Sequence, residues 1–100
     1  MLLATSDLRT DYQVLGMVKG SCMRARHLGQ DIMASLRKVV GGEVQEYASL
    51  LKEAREAATE QMVAEAQQLG ANAIIGIRFS TSTITTGAAE IIVYGTAVKI

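Results

Sequence analysis

The sequence predicts an α+β fold, an antiparallel sheet packed with two helices, within one domain covering residues 1–100. A stretch from Glu43 to Leu69 contains neither Gly nor Pro and consists almost entirely of good helix formers. An earlier stretch repeats apolar residues at helical spacing, and three others are rich in strand-forming residues. Aromatic residues make up only 4% of the chain against 49% hydrophobic, so the core must consist of Ile, Val, Leu, Met and Ala.

Composition and charge limit the kinds of molecule that we expect this protein to bind. The formal net charge is zero, which predicts no nucleic-acid or anionic-membrane partner. One cysteine excludes an internal disulfide, and no apolar run approaches the length of a membrane span. With no secretory signal visible, we expect a cytoplasmic protein. Residues 1–42 carry a net charge of +3 and residues 43–72 carry −4. These regions either meet, within or between subunits, or form two solvated faces.

The first third of the chain predicts two strands. Met1–Thr5 is a short apolar run that suits an edge strand. Gln13–Met23 is the second strand, and turn-forming residues precede it. Strict alternation places Val14, Gly16, Val18 and Gly20 on one face. Two glycines on one face predict a bulge or the close approach of another backbone.

Two helices follow in the middle of the chain. The spacing of Leu28, Ile32, Leu36 and Val39 predicts a first helix from His27 or Leu28 to Val40. Gly41-Gly42 then makes a tight corner before the long helix, about 43–69, which would be about 40 Å long. Gly70 ends this helix in a left-handed conformation.

The long helix has an apolar core stripe and an acidic solvated face. The acidic face holds Glu46, Glu53, Glu56 and Glu60, and Arg55 lies at an edge of the stripe. The core stripe consists of the following residues: Val44, Tyr47, Leu51, Ala54, Ala58, Met62 and Leu69.

Two strands complete the predicted sheet. In the first, alternation places Ile75, Ile77 and Phe79 on one face and Ile74, Gly76, Arg78 and Ser80 on the other. Thr86-Gly87 marks a hairpin turn, and Ile91–Ile100 is the return strand that follows it. The return strand is apolar on both faces, although a sheet covered on one side should alternate. No further element of so short a chain could cover the second face, so the pattern predicts a homo-oligomer.

Candidate metal ligands are Cys22 and His27, the only residues of their types. A closed zinc site takes four such ligands, so we expect these two to bind metal only between subunits. The alternative is that Cys22 is a small buried hydrophobe and that His27 caps a helix or faces solvent.

Catalysis has little support in the sequence. Cys22, His27 and Asp31 could form a catalytic relay, but the sequence contains no nucleophile-elbow motif and no phosphate-binding loop motif. We therefore assign no catalytic residue, no cofactor and no cofactor-binding residue. Three readings remain open: a ring that binds a metal or small ligand, a purely structural ring, and an enzyme whose site forms only at subunit junctions.

Four blocks of sequence resemble the YbjQ family, also called UPF0145 and labelled for heavy-metal binding. The blocks are Gly16-x-Val18-x-Gly20; Asp31 with Ala34-Ser35-x-Arg37 and Val40-Gly41-Gly42; Tyr47 with Ala54-Arg55 and Ala58; and Leu69 to Gly76 with Gly95-Thr96-Ala97-Val98. The resemblance covers almost the whole chain. It implies a dodecin-like α+β subunit and a ring-shaped homopentamer, without an established biochemical activity.

The sequence also departs from the family pattern. The strand after Gly70-Ala71-Asn72-Ala73 is usually acidic in the family but carries Arg78, Ser80 and Ser82 here. His27 stands where the family typically has an Asn. Any metal site built on acids of that strand is therefore weakened.

Overall fold

The structure, a computed structural model, describes residues 1–25, 42–85 and 88–100. Its elements in chain order are β1 Leu2–Leu3, β2 Gln13–Ala25, α1 Gly42–Gln68, β3 Ala73–Thr85 and β4 Ala88–Lys99. The long helix and the strands are confirmed, with bounds shifted by one to three residues. The predicted first helix, from His27 or Leu28 to Val40, and the predicted turn at Thr86-Gly87 lie outside the described residues.

The four strands form one mixed sheet in the order β1-β3-β4-β2. β2 and β3 each run antiparallel to β4, whereas β1 runs parallel to β3. The prediction of a purely antiparallel sheet is therefore wrong at this edge. A parallel pair needs a long connection between its strands, and the whole of β2 and α1 lies between β1 and β3.

α1 approaches β2 so closely that their backbones nearly touch. A Cβ atom built on Gly20 would lie 1.9 Å from the carbonyl oxygen of Ala58. The predicted close approach at this glycine is confirmed. Ser21 N–H, next to it, donates a hydrogen bond to Gln61 Oε1 at 3.1 Å, which fixes the helix along the strand.

The main core lies between α1 and the sheet. The helix contributes Ala54, Ala58, Met62 and Ala66, all fully buried. The strands contribute Val18, Ile74, Ile77, Ile91, Val93 and Ala97. Leu69, predicted to lie in the core stripe, is 45% exposed because the helix ends at Gln68. The acidic face is solvated at Glu53, Glu56 and Glu60, as predicted.

Two of the register shifts in the sheet overturn the strict alternation that the sequence predicted along β2 and β3. In β2 the register shifts between Val14 and Gly16, so that Val14 moves to the opposite face from Val18. In β3 the register shifts between Ile75 and Arg78. Gly76 permits this shift because it adopts a φ of +63°. Ile74 and Ile77 thus both enter the main core, contrary to the predicted assignment of faces.

The end of α1 forms a Schellman motif. Ala71 N–H donates to the carbonyl of Ala66 at 3.1 Å, and Gly70 N–H donates to that of Gln67 at 3.0 Å. Gly70 has a φ of +82°, which confirms the predicted left-handed conformation. The chain leaves the helix and enters β3 within three residues.

A second, smaller core lies on the opposite side of the sheet from α1. Val98, Ala73 and Ile75 are buried there, and the loop after β1 covers them with Leu8 and Tyr12. The expectation that no element of the chain could cover this side is therefore wrong at one end of the sheet. The sequence carried a weak signal, namely two apolar residues in an otherwise polar loop.

Asp7 holds this covering loop closed. Tyr12 O–H donates to Asp7 Oδ1 at 2.6 Å, and Leu8 N–H donates to the same oxygen at 2.7 Å. These two hydrogen bonds lower the pKa of Asp7 from its ordinary value of 3.8, and the bond from Tyr12 has the larger effect. The hydrogen bond to Asp7 likewise raises the pKa of Tyr12 above 10.0. The pair thus keeps the bonded protonation states throughout the neutral pH range.

Two glycine substitutions test this packing, because they probe different constraints. Gly20→Ala places a methyl group against a backbone carbonyl, so we expect it to cost at least about 3 kcal/mol, the upper end of the overpacking range. Gly70→Ala meets no atom within 4 Å and incurs only backbone strain. We expect that strain to cost about 1 kcal/mol, or about 4–8 °C in melting temperature.

Thermal unfolding followed by circular dichroism would rank the two variants, with Gln68→Ala as a control on the exposed helix surface. Equal melting temperatures for Gly20→Ala and the wild type would show that α1 does not press on β2 at this point.

Candidate functional site

The described residues of the chain cover only part of the side of the sheet that faces away from α1. We call this side the open face. Its covered end carries Val98 under Leu8 and Tyr12. Beyond that end, Tyr94 is 43% exposed and Met17 is 67% exposed. The strand register places the following side chains on this part of the open face: Met17, Lys19, Ser21 and Met23 of β2, Glu90, Ile92, Tyr94 and Thr96 of β4, and Arg78, Ser80 and Ser82 of β3.

The open face mixes apolar and polar residues in rows across the sheet. Tyr94 pairs with Lys19 on one side and with Arg78 on the other. The next row toward the β3–β4 hairpin has Ile92 between two serines. The prediction that β4 is apolar on both faces is confirmed at Tyr94 and Ile92, while its neighbours on β2 and β3 are more polar.

Cys22 lies on the helix side of β2 and packs partly buried against the main core. Its Sγ lies 3.9 Å from the carbonyl oxygen of Met23. Cys22 therefore packs as a small hydrophobe would, although its thiol is not fully enclosed, and its assignment as a metal ligand between subunits stays a prediction.

Within the described residues, the donors near Cys22 do not make up a closed heavy-metal site. Over residues 1–25, 42–85 and 88–100, no three side chains of His, Cys, Asp or Glu type lie close enough to hold an ion. The nearest charged neighbours along β2 include Arg24, which faces Glu53 of α1 at 4.0 Å. His27, the other predicted ligand, and Asp31, the third member of the drawn relay, lie outside the described residues.

A shallow groove runs between α1 and β3 on the helix side of the sheet. It has a volume of about 510 Å³, and its apolar surface comes mainly from Phe79 beside Thr59 of the helix. Arg55, Glu56 and Glu60 form its rim. Thr59 O–H donates to the carbonyl of Arg55 at 2.8 Å, so its hydroxyl is already engaged. The groove brings together no nucleophile and base that could act on a substrate.

Two polar residues fix the ends of the chain, and sequence analysis missed both roles. Asn72 pairs with Ile100 like a strand residue: its Nδ2 donates to the carbonyl at 3.1 Å, and its Oδ1 accepts from the N–H at 2.8 Å. Arg78 Nη1 donates to the carbonyl of Thr5 at 2.8 Å. The base that departs from the family pattern therefore ties the amino-terminal segment to β3.

No helix within the described residues is long and apolar enough to cross a membrane.

Comparison with known proteins finds relatives that share one family name. A family model described as "Putative heavy-metal-binding" matches residues 1–100. A UPF0145 protein of Methanosarcina acetivorans is 52% identical over 103 residues, covering 100% of this chain and 97% of that protein. A UPF0145 protein of Thermus thermophilus is 56% identical over 88 residues, covering 88% of this chain and 77% of that one.

A solved structure supports the fold. A protein of unknown function from Pediococcus pentosaceus, of the DUF74 family, superposes with a TM-score of 0.68 at 17% identity, over 100% of this chain and 97% of that one. At that identity the likeness concerns the fold alone. The match over the full chain and the identity to several relatives show that the chain belongs to the UPF0145 family, which is also called the YbjQ family.

Proposed function

We propose that this protein works as a ring-shaped homo-oligomer of five subunits in the cytoplasm, and that its role is assembly and binding, not catalysis. The observation that supports assembly is the uncovered part of the open face. The number five rests on the family resemblance. Self-association is the only partnership proposed, with no nucleic acid and no membrane.

Exposure on the open face supports assembly on energetic grounds. Fully burying one large apolar side chain contributes about 1.5–3 kcal/mol. Met17, Met23 and Tyr94 are each more than 40% exposed on this face, and Ile92 is half-buried beside them. A contiguous patch of this kind typically marks an interaction surface.

In this proposal any metal is bound between subunits of the assembly and not within one subunit. Cys22 offers one soft ligand, and the family's acidic strand is replaced here by Arg78, Ser80 and Ser82. A cation near Arg78 would be repelled by the guanidinium. Several copies of Cys22 brought together between subunits would supply the thiolates that soft metals prefer.

The first prediction concerns assembly. We expect native mass spectrometry to give a complex of five chains of 10.7 kDa. Tyr94→Glu introduces a charge into the open face, so desolvating it on assembly is unfavourable and the complex should dissociate. Gln67→Glu adds the same charge on an exposed position of α1 and should leave the complex intact.

Tyr94 suits this test better than Val98, another apolar residue of β4 on the same side of the sheet. Val98 is fully buried under the loop after β1, so a charge there would unfold the subunit itself. A wild-type protein that remains a 10.7 kDa monomer at high concentration would contradict the proposal.

The second prediction concerns metal. We expect calorimetric titration with zinc, cadmium and copper to show no submicromolar site at one ion per chain in a monomeric variant such as Tyr94→Glu. Any binding by the assembled protein should disappear in Cys22→Ser, because the thiolate is the soft ligand. Ser82→Ala serves as the control for loss of an exposed oxygen. Tight binding of one ion per chain that survives Cys22→Ser would refute this assignment.

A further inference from the structure

We infer that Met17 and Met23 are sites of reversible oxidation, and that their sulfoxides keep a subunit out of the assembly. This regulation rests on the proposed homo-oligomer, because both methionines lie on the open face through which we expect the subunits to associate. Oxidation converts the apolar methionine side chain into a polar sulfoxide, and reductases convert the sulfoxide back to the thioether. A pair of methionines on a contact surface therefore makes that surface responsive to oxidants.

Exposure separates these two methionines from the one in the core. The chain has five methionines, of which Met33 lies outside the described residues. Met17 is 67% exposed and Met23 is 57% exposed, whereas Met62 of α1 is fully buried. Met1, which precedes β1, is 45% exposed. A small oxidant therefore reaches the side chains of Met17 and Met23 in a folded subunit, but it reaches Met62 only when the subunit opens.

Both methionines lie beside apolar residues of β4 on the open face. The strand register makes Tyr94 a diagonal neighbour of Met17 and Ile92 a diagonal neighbour of Met23. Diagonal neighbours of a strand pair lie about 7–8 Å apart, within reach of a long side chain. An oxygen atom on either sulfur would thus lie next to the apolar side chains that we expect to be buried on assembly.

Hydrogen peroxide can supply the oxygen atom without a catalyst from the protein. A lone pair of the thioether sulfur attacks one peroxide oxygen, so that an S–O bond forms while the O–O bond breaks. The second oxygen leaves as hydroxide, takes the proton from the transferred oxygen and becomes water. The sulfur is oxidised by two electrons and the peroxide is reduced by two, which gives the sulfoxide.

The sulfoxides weaken assembly and leave the subunit folded. Burying a polar group is unfavourable unless it gains a hydrogen bond, and the thioether carries no such penalty. Within one subunit both side chains lie in solvent and outside the two cores, so the added oxygen displaces no packed atom.

Peroxide treatment followed by native mass spectrometry tests this inference. The parent protein carries Cys22→Ser, so that no thiol reacts. Peroxide is added to diluted protein, in which free subunits expose both sulfurs, and the protein is then concentrated. We expect peptide mapping to show a gain of about 16 Da on Met17 and on Met23 before Met62 reacts, and we expect the oligomer to be lost.

The matched control carries Met17→Leu and Met23→Leu in addition. Leucine preserves the apolar surface and has no sulfur to oxidise. The control should remain assembled after the same treatment, because all other methionines are common to both proteins. Methionine sulfoxide reductases supplied with a dithiol should restore the oligomer of the oxidised parent, which distinguishes sulfoxide formation from irreversible damage.

The outcomes that contradict the inference are separable. Oxygen on both methionines with an intact oligomer would overturn it and leave the proposed assembly in place. Reaction of Met62 before Met17 and Met23, equal loss of the oligomer in the control, or failure of the reductases to restore it would also overturn it. A parent protein that is monomeric before peroxide would overturn both the inference and the proposed assembly. Circular dichroism of each protein confirms that the subunit is folded.

Discussion

The structure depends on the direct contact between the helix and the outer strand at Gly20. The Ala58 carbonyl lies where a side chain of residue 20 would be, so the helix can lie at this depth only because residue 20 is glycine. Small residues on the helix, Ala54, Ala58 and Ala66, let it stay close along its length. The close fit fixes α1 over β2 and β4 and leaves β3 and the open face largely uncovered by the helix.

The uncovered surfaces follow from that placement. A helix about 10 Å wide covers roughly two strands, since neighbouring strands lie about 4.8 Å apart. The loop closed by Asp7 covers one end of the open face, and the amino-terminal segment held by Arg78 covers part of one edge. The remaining apolar surface is distributed over the open face and both edges. The proposed assembly would remove part of this apolar surface from water.

The sequence predicted the elements well because their signals are local. Helix formers without Gly or Pro define α1, and Gly70 defines its end. The prediction from sequence failed where the local structure depends on residues that are distant in the chain. The bulge at Gly76 moves Ile77 to the helix side, and a strict two-residue period cannot register one inserted residue. The pairing of β1 with β3, and the cover that Leu8 and Tyr12 provide, involve partners more than 60 residues away in the chain. At the candidate metal site Cys22 lies partly buried against the main core and His27 lies outside the described residues, so a metal bound by these two residues between subunits stays a prediction.

Amide hydrogen exchange resolved by residue tests the central claim, that the close contact at Gly20 fixes α1 on the sheet. A Cβ atom built on Gly20 would lie 2.9 Å from the backbone nitrogen of Met62, so Gly20→Ala should push this turn of the helix away from β2. The account predicts that the Met62 amide exchanges faster in Gly20→Ala than in the wild type, relative to the amide of Val93 in the central strand β4. Equal exchange at Met62 in the two proteins, with Val93 equally protected in both, would contradict it.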